Sequence, residues 1–121
     1  MRQRVEQLSG AGTLAPGPDV ATGRAGDREH GAEVALYCRI AAGRVVEAKF
    51  RAFGCPHFIA AASWLTDRLR GTGREQFASW DWREAAEALE VPPVKFGRLL
   101  TLQDAVRDAA RNWPGGTAST V

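Results

Sequence analysis

Cysteine is scarce in this sequence, with Cys38 and Cys55 the only two among 121 residues. Two cysteines do not make the disulfide framework of a small secreted domain, so a reducing, cytoplasmic setting is expected. Long hydrophobic runs are also missing, and no segment approaches the length of a membrane span. The first eight residues are charged and lack the apolar stretch of a signal peptide. The sequence therefore predicts a protein that is neither secreted nor membrane-bound.

A concentration of charge of one sign is absent as well. Sixteen basic and 14 acidic residues give a net charge of +2, and the arginines are scattered from Arg2 to Arg111 without a basic run. No stretch alternates basic and aromatic residues in the way that single-strand binders do, so nucleic acid is not an expected partner. The length and the 45% hydrophobic content suit one globular domain with its own core.

Two segments have the alternating pattern of half-buried strands, Glu33–Ile40 and Arg44–Phe53. The short connection between them predicts an antiparallel hairpin. The inward face of the second strand is predicted to comprise Val46, Ala48, Phe50 and Ala52. The preceding segment, Gly10–Gly26, is rich in glycine and proline and predicts a loop, with at most a short edge strand at Val20–Thr22.

From Pro56 onward the apolar residues recur at helical spacing. A first helix is expected to end at Gly71, a second to run from an Asp81 cap to about Glu90, and a long last helix to follow Pro92-Pro93. The apolar stripe of that last helix comprises Phe96, Leu99, Leu102, Val106, Ala109 and Trp113. Strands first and helices after predict an α+β fold, in which helices pack on one face of a small antiparallel sheet of about three strands.

The junction between the second strand and the first helix carries the candidate chemistry. Gly54 provides a flexible turn, Cys55 follows it, and Pro56 is of a type tolerated in a first helical turn. Unpaired backbone N–H groups and the helix dipole favour negative charge at such a position. They therefore stabilise a thiolate, the form of cysteine that acts as nucleophile and metal ligand.

Two segments carry a resemblance to a known family. The residues VVEAKFRAFGCPHFIAAASWLTDRLRG (45–71) and LEVPPVKFGRLLTLQDAVRDA (89–109) resemble the scaffold proteins of iron–sulfur cluster assembly, of the IscU type and the NifU N-terminal type. The resemblance implies an IscU-like or SufE-like α+β fold. It also suggests a single domain over residues 1–113 with its core at 30–113. A helix is predicted for the first nine residues, and residues 114–121 are predicted to be a disordered tail.

The family holds a transient iron–sulfur cluster, or zinc, with three cysteines and an aspartate. The resemblance keeps Cys55 and places His30, Ala32 and Arg98 where the family has its first cysteine, its aspartate and another cysteine. The implied metal ligands are therefore Cys55 and His30, with His57 as a weaker candidate.

Three other residues are assigned around that site. By resemblance, Lys95 and Arg98 are expected to bind an anion or stabilise a persulfide. Cys38 is expected on the inward face of its strand, so it does not replace a lost ligand. The competing structural readings are a small buried cysteine for Cys55, a polar loop residue for His30 and a solvated helix face for Lys95 and Arg98. For His57 the competing reading is an exposed residue of the first helical turn or a hydrogen bond in the cap region.

The favoured function is that of an iron–sulfur assembly scaffold or carrier, rather than a turnover enzyme. It would bind a metal or cluster, or accept sulfur through Cys55, beside a cysteine desulfurase and other assembly proteins. Three alternatives remain: a metal-free sulfur acceptor of the SufE type, a protein-interaction module without chemistry, and a monothiol oxidoreductase. The last rests on Cys55-Pro56-His57-Phe58, which resembles a Cys-Pro-His-Cys redox site, although no strand is predicted after residue 71.

Overall fold

The computed structural model describes residues 9–114. Three antiparallel strands in the order β1-β2-β3 are followed by helices, and this order confirms the α+β prediction. The elements are β1 (Val20–Asp27), β2 (Ala32–Ala41), β3 (Arg44–Phe53), α1 (Pro56–Leu69), α2 (Arg74–Ala78), α3 (Trp82–Ala88) and α4 (Phe96–Arg111). Single 3-10 turns stand at Arg28–His30 and Pro93–Lys95. The predicted N-terminal helix and C-terminal tail lie almost wholly outside the described residues.

The β2–β3 hairpin forms as predicted, with one correction. Its two-residue turn places Ala42 and Gly43 at φ 53° and 76°, the positive values that a tight hairpin turn requires. A bulge interrupts the pairing between Arg39 and Ile40. The extra residue on β3 turns Val46 outward, where it is 52% exposed, and buries Val45 instead. The prediction that Val46 faces inward was therefore wrong.

The predicted loop before residue 26 was also wrong in part, because β1 is a full strand of eight residues. The glycines of β1 also allow close packing and do not mark turns alone. A Cβ at Gly23 would lie 2.1 Å from the carbonyl oxygen of Ala105 and 2.4 Å from the backbone nitrogen of Ala109. The missing side chain thus lets α4 pack directly on the strand, a use of glycine that composition alone does not distinguish from a turn.

Replacing Gly23 by alanine is expected to destabilise the protein by about 3 kcal/mol, because the new methyl group meets backbone atoms that cannot move independently. Gly97→Ala is the matched control. It adds a methyl group to an exposed helical glycine with no heavy atom within 4 Å, so stability is expected to stay equal or rise by up to about 1 kcal/mol. Urea unfolding of both variants measures this, and an equal loss in the two would contradict the packing argument.

The core lies between one face of the sheet and the helices α1 and α4. Its largest fully buried side chains include Leu36, Phe50, Phe58, Leu65, Phe77, Leu99 and Leu102. Aromatic rings pack in pairs between the helices: those of Trp64 and Trp80 have centroids 6.4 Å apart, and those of Trp82 and Phe96 have centroids 4.8 Å apart. The five-residue helix α2 was not predicted, since it is too short for a periodic pattern. Helix α3 ends at Ala88, before the predicted Glu90.

Both edges of the sheet are closed by hydrogen bonds from other segments. At the β1 edge, Asp108 on α4 accepts from the backbone N–H of Arg24 at 2.9 Å, and the Asn112 side chain donates to the Thr22 carbonyl at 2.8 Å. At the β3 edge, Phe50 exchanges backbone hydrogen bonds of 2.7 and 2.9 Å with the segment 10–12. These contacts occupy part of each edge and obstruct pairing with another strand there.

Candidate functional site

Cys55 is the N-cap residue of α1, as predicted, with extended backbone angles (φ −72°, ψ 163°) and Pro56 directly after it. Its thiol is partly exposed. The backbone N–H groups of His57 and Phe58 face the sulfur, and Nζ of Lys95 lies 3.6 Å from Sγ. Lys95 belongs to the 3-10 turn that leads into α4, so two helix starts meet at this thiol.

The surroundings favour the thiolate of Cys55. Partial burial alone would raise the pKa of this thiol, but the Phe58 N–H and the positive charge of Lys95 outweigh that effect and hold the pKa below its ordinary value. Burial instead raises the pKa of the Cys38 thiol, in the core, to about 12. Cys55 is thus the thiol of the two whose surroundings favour the thiolate, and Cys38 is the buried core residue that the sequence predicted.

Replacing Lys95 by methionine is expected to raise the pKa of Cys55, because it removes a nearby positive charge and a hydrogen-bond donor. The pH profile of alkylation by iodoacetamide would then move to higher pH, and the rate at pH 7 would fall. Lys49→Met is the control, since Lys49 is the only other lysine and lies on β3 away from the thiol. Identical profiles for the two variants would show that Lys95 does not stabilise the thiolate.

The turn after His30 reaches the same end of the molecule. The Gly31 carbonyl oxygen would lie 3.2 Å from a Cβ on Gly54, the residue before Cys55. Arg98 on α4 donates to the His30 carbonyl at 3.3 Å, and its guanidinium nitrogens pass within 3.8 Å of where a Gly31 Cβ would stand. The structure therefore brings together the three segments that the resemblance placed at one site.

The His30 side chain is 81% exposed, and its Nδ1 lies 2.8 Å from a carboxylate oxygen of Asp27. Asp27 also accepts from the backbone N–H of His30 at 2.8 Å and caps the 3-10 turn. That backbone hydrogen bond, together with the imidazole, holds the pKa of Asp27 below its usual value. Asp27 was missed by sequence reasoning, although an aspartate three residues before the end of a turn is a capping signal.

The site does not gather a recognisable set of metal ligands. Among residues 9–114, no three His, Cys, Asp or Glu side chains are placed to hold one metal ion. The His57 side chain is exposed, and its backbone rather than its imidazole faces Cys55. Cys55, Lys95, Arg98 and the His30 turn are neighbours, but the functions assigned to them stay predictions.

Comparison with known proteins identifies the family. The family model described as the NifU-like N terminal domain matches residues 8–120. The chain belongs to this family. A NifU-like N-terminal protein from Brucella abortus has the same fold, with a TM-score of 0.61 at 16% identity, and the match covers 89% of this chain and 87% of that one. The predicted resemblance and fold are confirmed.

Relatives of this NifU-like chain carry names from iron–sulfur cluster assembly. The iron-sulfur cluster assembly protein 3 of Arabidopsis thaliana is 32% identical over 97 residues, which cover 79% of this chain and 57% of that protein. The scaffold protein IscU of Azotobacter vinelandii is also 32% identical over 97 residues, covering 79% and 76%. The chain thus spans less than two thirds of the length of several curated relatives. None of the helices within residues 9–114 is long and apolar enough to cross a membrane.

Proposed function

We propose that this NifU-like chain is a scaffold-type carrier of iron–sulfur cluster assembly, and that the Cys55 thiolate takes up its cargo. The observation that carries the proposal is the position of this thiol, at a helix N-terminus and 3.6 Å from Lys95. The names of the relatives support the pathway. The role is that of a carrier, which holds and passes on its cargo, rather than of a turnover enzyme.

Sulfur is the cargo that the described residues are best equipped to receive. The Cys55 thiolate would attack the outer sulfur of a donor persulfide. The sulfur–sulfur bond of the donor breaks, the donor leaves as a thiolate, and a persulfide forms on Cys55 without any external oxidant. The Lys95 ammonium group would stabilise the anionic sulfur before and after transfer. A cysteine desulfurase is the class of protein that supplies such a persulfide.

An iron–sulfur cluster or zinc needs more donors than Cys55 alone. A cluster is held by about four ligands, usually thiolates, and zinc also prefers four. Cys55 and the exposed imidazole of His30 would supply two at most, so further ligands would have to come from a partner or a small thiol. Arg98 places a cation beside this site, which opposes metal binding and favours an anion. Delivery of sulfur alone, without a metal or cluster, is therefore the second candidate function beside that of a scaffold.

Transfer of labelled sulfur tests the proposal. The chain is incubated without oxygen with a cysteine desulfurase and ³⁵S-cysteine, and the label is followed on non-reducing gels. We expect reductant-sensitive label on the wild type and on Cys38→Ala, and none on Cys55→Ser. Label that is retained in Cys55→Ser, with all three proteins folded, would remove Cys55 from the proposed role. The absence of label from every protein would contradict sulfur uptake from this donor.

A further inference from the structure

The sheet face opposite the helices concentrates positive charge that is dispersed along the sequence. Register aligns Arg24, Ala35 and Arg51 across the three strands, and Tyr37 and Lys49 form the next row. Arg24 and Arg51 are exposed, and Ala35 between them is buried to 6% exposure, which creates a concavity between two guanidinium groups. The two outer strands are roughly 10 Å apart, twice the spacing of neighbouring strands. We call this surface the basic face, comprising Arg24, Arg28, Arg39, Lys49 and Arg51.

The cations at the centre of the basic face are not neutralised. Arg28 pairs with Glu33 at 3.2 Å, and Arg39 pairs with Glu47 at 2.7 Å. In contrast, the side chains of Arg24, Lys49 and Arg51 form no ion pair with any side chain in residues 9–114. Guanidinium groups bind carboxylates bidentately, and arginine and tyrosine are enriched in protein interfaces. The geometry therefore fits side-chain carboxylates seated between Arg24 and Arg51.

Two features favour a protein over a nucleic acid. The aromatic rings on this face already carry guanidinium groups, with Arg24 5.8 Å from the Tyr37 ring centroid and Arg28 4.6 Å from that of Phe53. Stacking of bases would have to displace them. Glu33 and Glu47 also lie among the cations, where they repel a continuous phosphate backbone but can pair with a protein surface of mixed charge.

Because both edges of the sheet are occupied, a partner has access to the basic face rather than to an edge. The β1 edge is capped by Asp108 and Asn112, and the β3 edge is paired with the segment 10–12. Addition of a partner strand at an edge, the usual way in which an extended peptide joins a sheet, is therefore obstructed. The concavity between Arg24 and Arg51 is lined by residues of β1, β2 and β3 together with Arg28, whereas segment 10–12 approaches the side chain of Lys49.

We propose that the basic face is a docking surface for an acidic, glutamate- or aspartate-rich segment of a partner protein. Phe53, at the end of the same face, is two residues before Cys55 in the sequence, so the basic face ends at the junction that leads to the thiol. The docking does not depend on what Cys55 carries. Failure of sulfur uptake would leave it intact, and loss of docking would leave the alkylation of Cys55 unchanged.

An NMR titration tests this proposal. The probe is an eight-residue peptide of alternating glutamate and serine, and its counterpart with glutamine in place of glutamate is the uncharged control. We expect backbone amide shifts confined to β1, β2 and β3 residues of the basic face, and none with the glutamine peptide. The double variant Arg24→Glu/Arg51→Glu is expected to weaken binding at least about tenfold.

The matched control is Arg74→Glu/Arg107→Glu, which changes the net charge of the protein by the same amount at two exposed arginines of α2 and α4. It is expected to retain most of the affinity. An equal loss of peptide affinity in both double variants would show that only the net charge of the protein matters, and would overturn the proposal. Tighter binding of an oligothymidylate at the same face, or the same shifts with inorganic phosphate at equal concentration, would also overturn it. If charge reversal unfolds the chain, the titration is repeated with Arg24→Gln/Arg51→Gln, which removes the two positive charges without adding negative ones.

Discussion

The double substitution His30→Cys/Arg98→Cys is expected to convert the site into a tight zinc site. The two new thiols would join Cys55 at the point where the His30 turn and α4 meet, and the cation of Arg98 would be removed. Loss of a single partner outside the ligand shell already costs a metal site roughly 10–100-fold in affinity. Two added thiolate ligands are therefore expected to raise zinc affinity by on the order of a thousandfold.

Competition with a chromophoric chelator measures this gain. The control is Arg74→Cys/Arg107→Cys, which adds two thiols on exposed positions of α2 and α4 and should leave zinc affinity at the wild-type level. Adding Cys55→Ser to the first variant should reverse most of the gain. If His30→Cys/Arg98→Cys binds zinc no more tightly than the control, the three segments do not converge closely enough to bind one metal ion together.

Phe58→Ala is expected to cost about 3–5 kcal/mol of stability, a large share of the roughly 5–15 kcal/mol that a domain has in total. Phe58 is fully buried in the first turn of α1, and its ring fills the space beside Gly54. Its backbone N–H also faces the Cys55 sulfur. The cavity would therefore loosen the turn that holds the thiol as well as the core beneath it, and the pKa of Cys55 is expected to rise.

Urea unfolding and the pH profile of alkylation measure the two effects. Phe58→Leu keeps most of the buried volume and is expected to lose less stability and to retain the wild-type pH profile. Leu69→Ala also makes a core cavity, but in the last turn of α1, at the opposite end of that helix from Cys55. Should Leu69→Ala raise the pKa of Cys55 as much as Phe58→Ala does, the effect would be one of general loosening and not of the helix start.

Periodicity predicted the elements in which apolar residues recur at regular spacing. The β2–β3 hairpin and the apolar stripe of α4 have such patterns, and Pro56 marks the start of α1; the structure confirms all three. The strand β1 was predicted only at its first three residues, because Gly23 is explained by contact with Ala105 and Ala109 of α4, which are distant in the sequence. The exposure of Val46 depends on a bulge, which shifts the register without any local sequence signal.

The site was predictable in the same uneven way. The thiol at the start of α1 follows from the local order Gly54-Cys55-Pro56, whereas the nearness of Lys95 came only from the resemblance. Asp27 was missed because its contacts with the backbone and imidazole of His30 depend on the 3-10 turn Arg28–His30, which was not predicted. The basic face was invisible in the sequence, since Arg24 and Arg51 are brought together only by strand pairing.

The most direct test of the central claim is native mass spectrometry with metal analysis on protein purified without oxygen. The wild type is compared with Cys55→Ser, with His30→Ala and with Cys38→Ala as the control cysteine. We predict that the wild type and Cys38→Ala carry added sulfur, or a bound metal, and that Cys55→Ser carries neither. A metal lost in both Cys55→Ser and His30→Ala would assign a site that uses both side chains, and a sulfur adduct lost in Cys55→Ser alone would assign sulfur as the cargo. The same adduct or metal on folded Cys55→Ser as on the wild type would contradict Cys55 as the residue that holds the cargo.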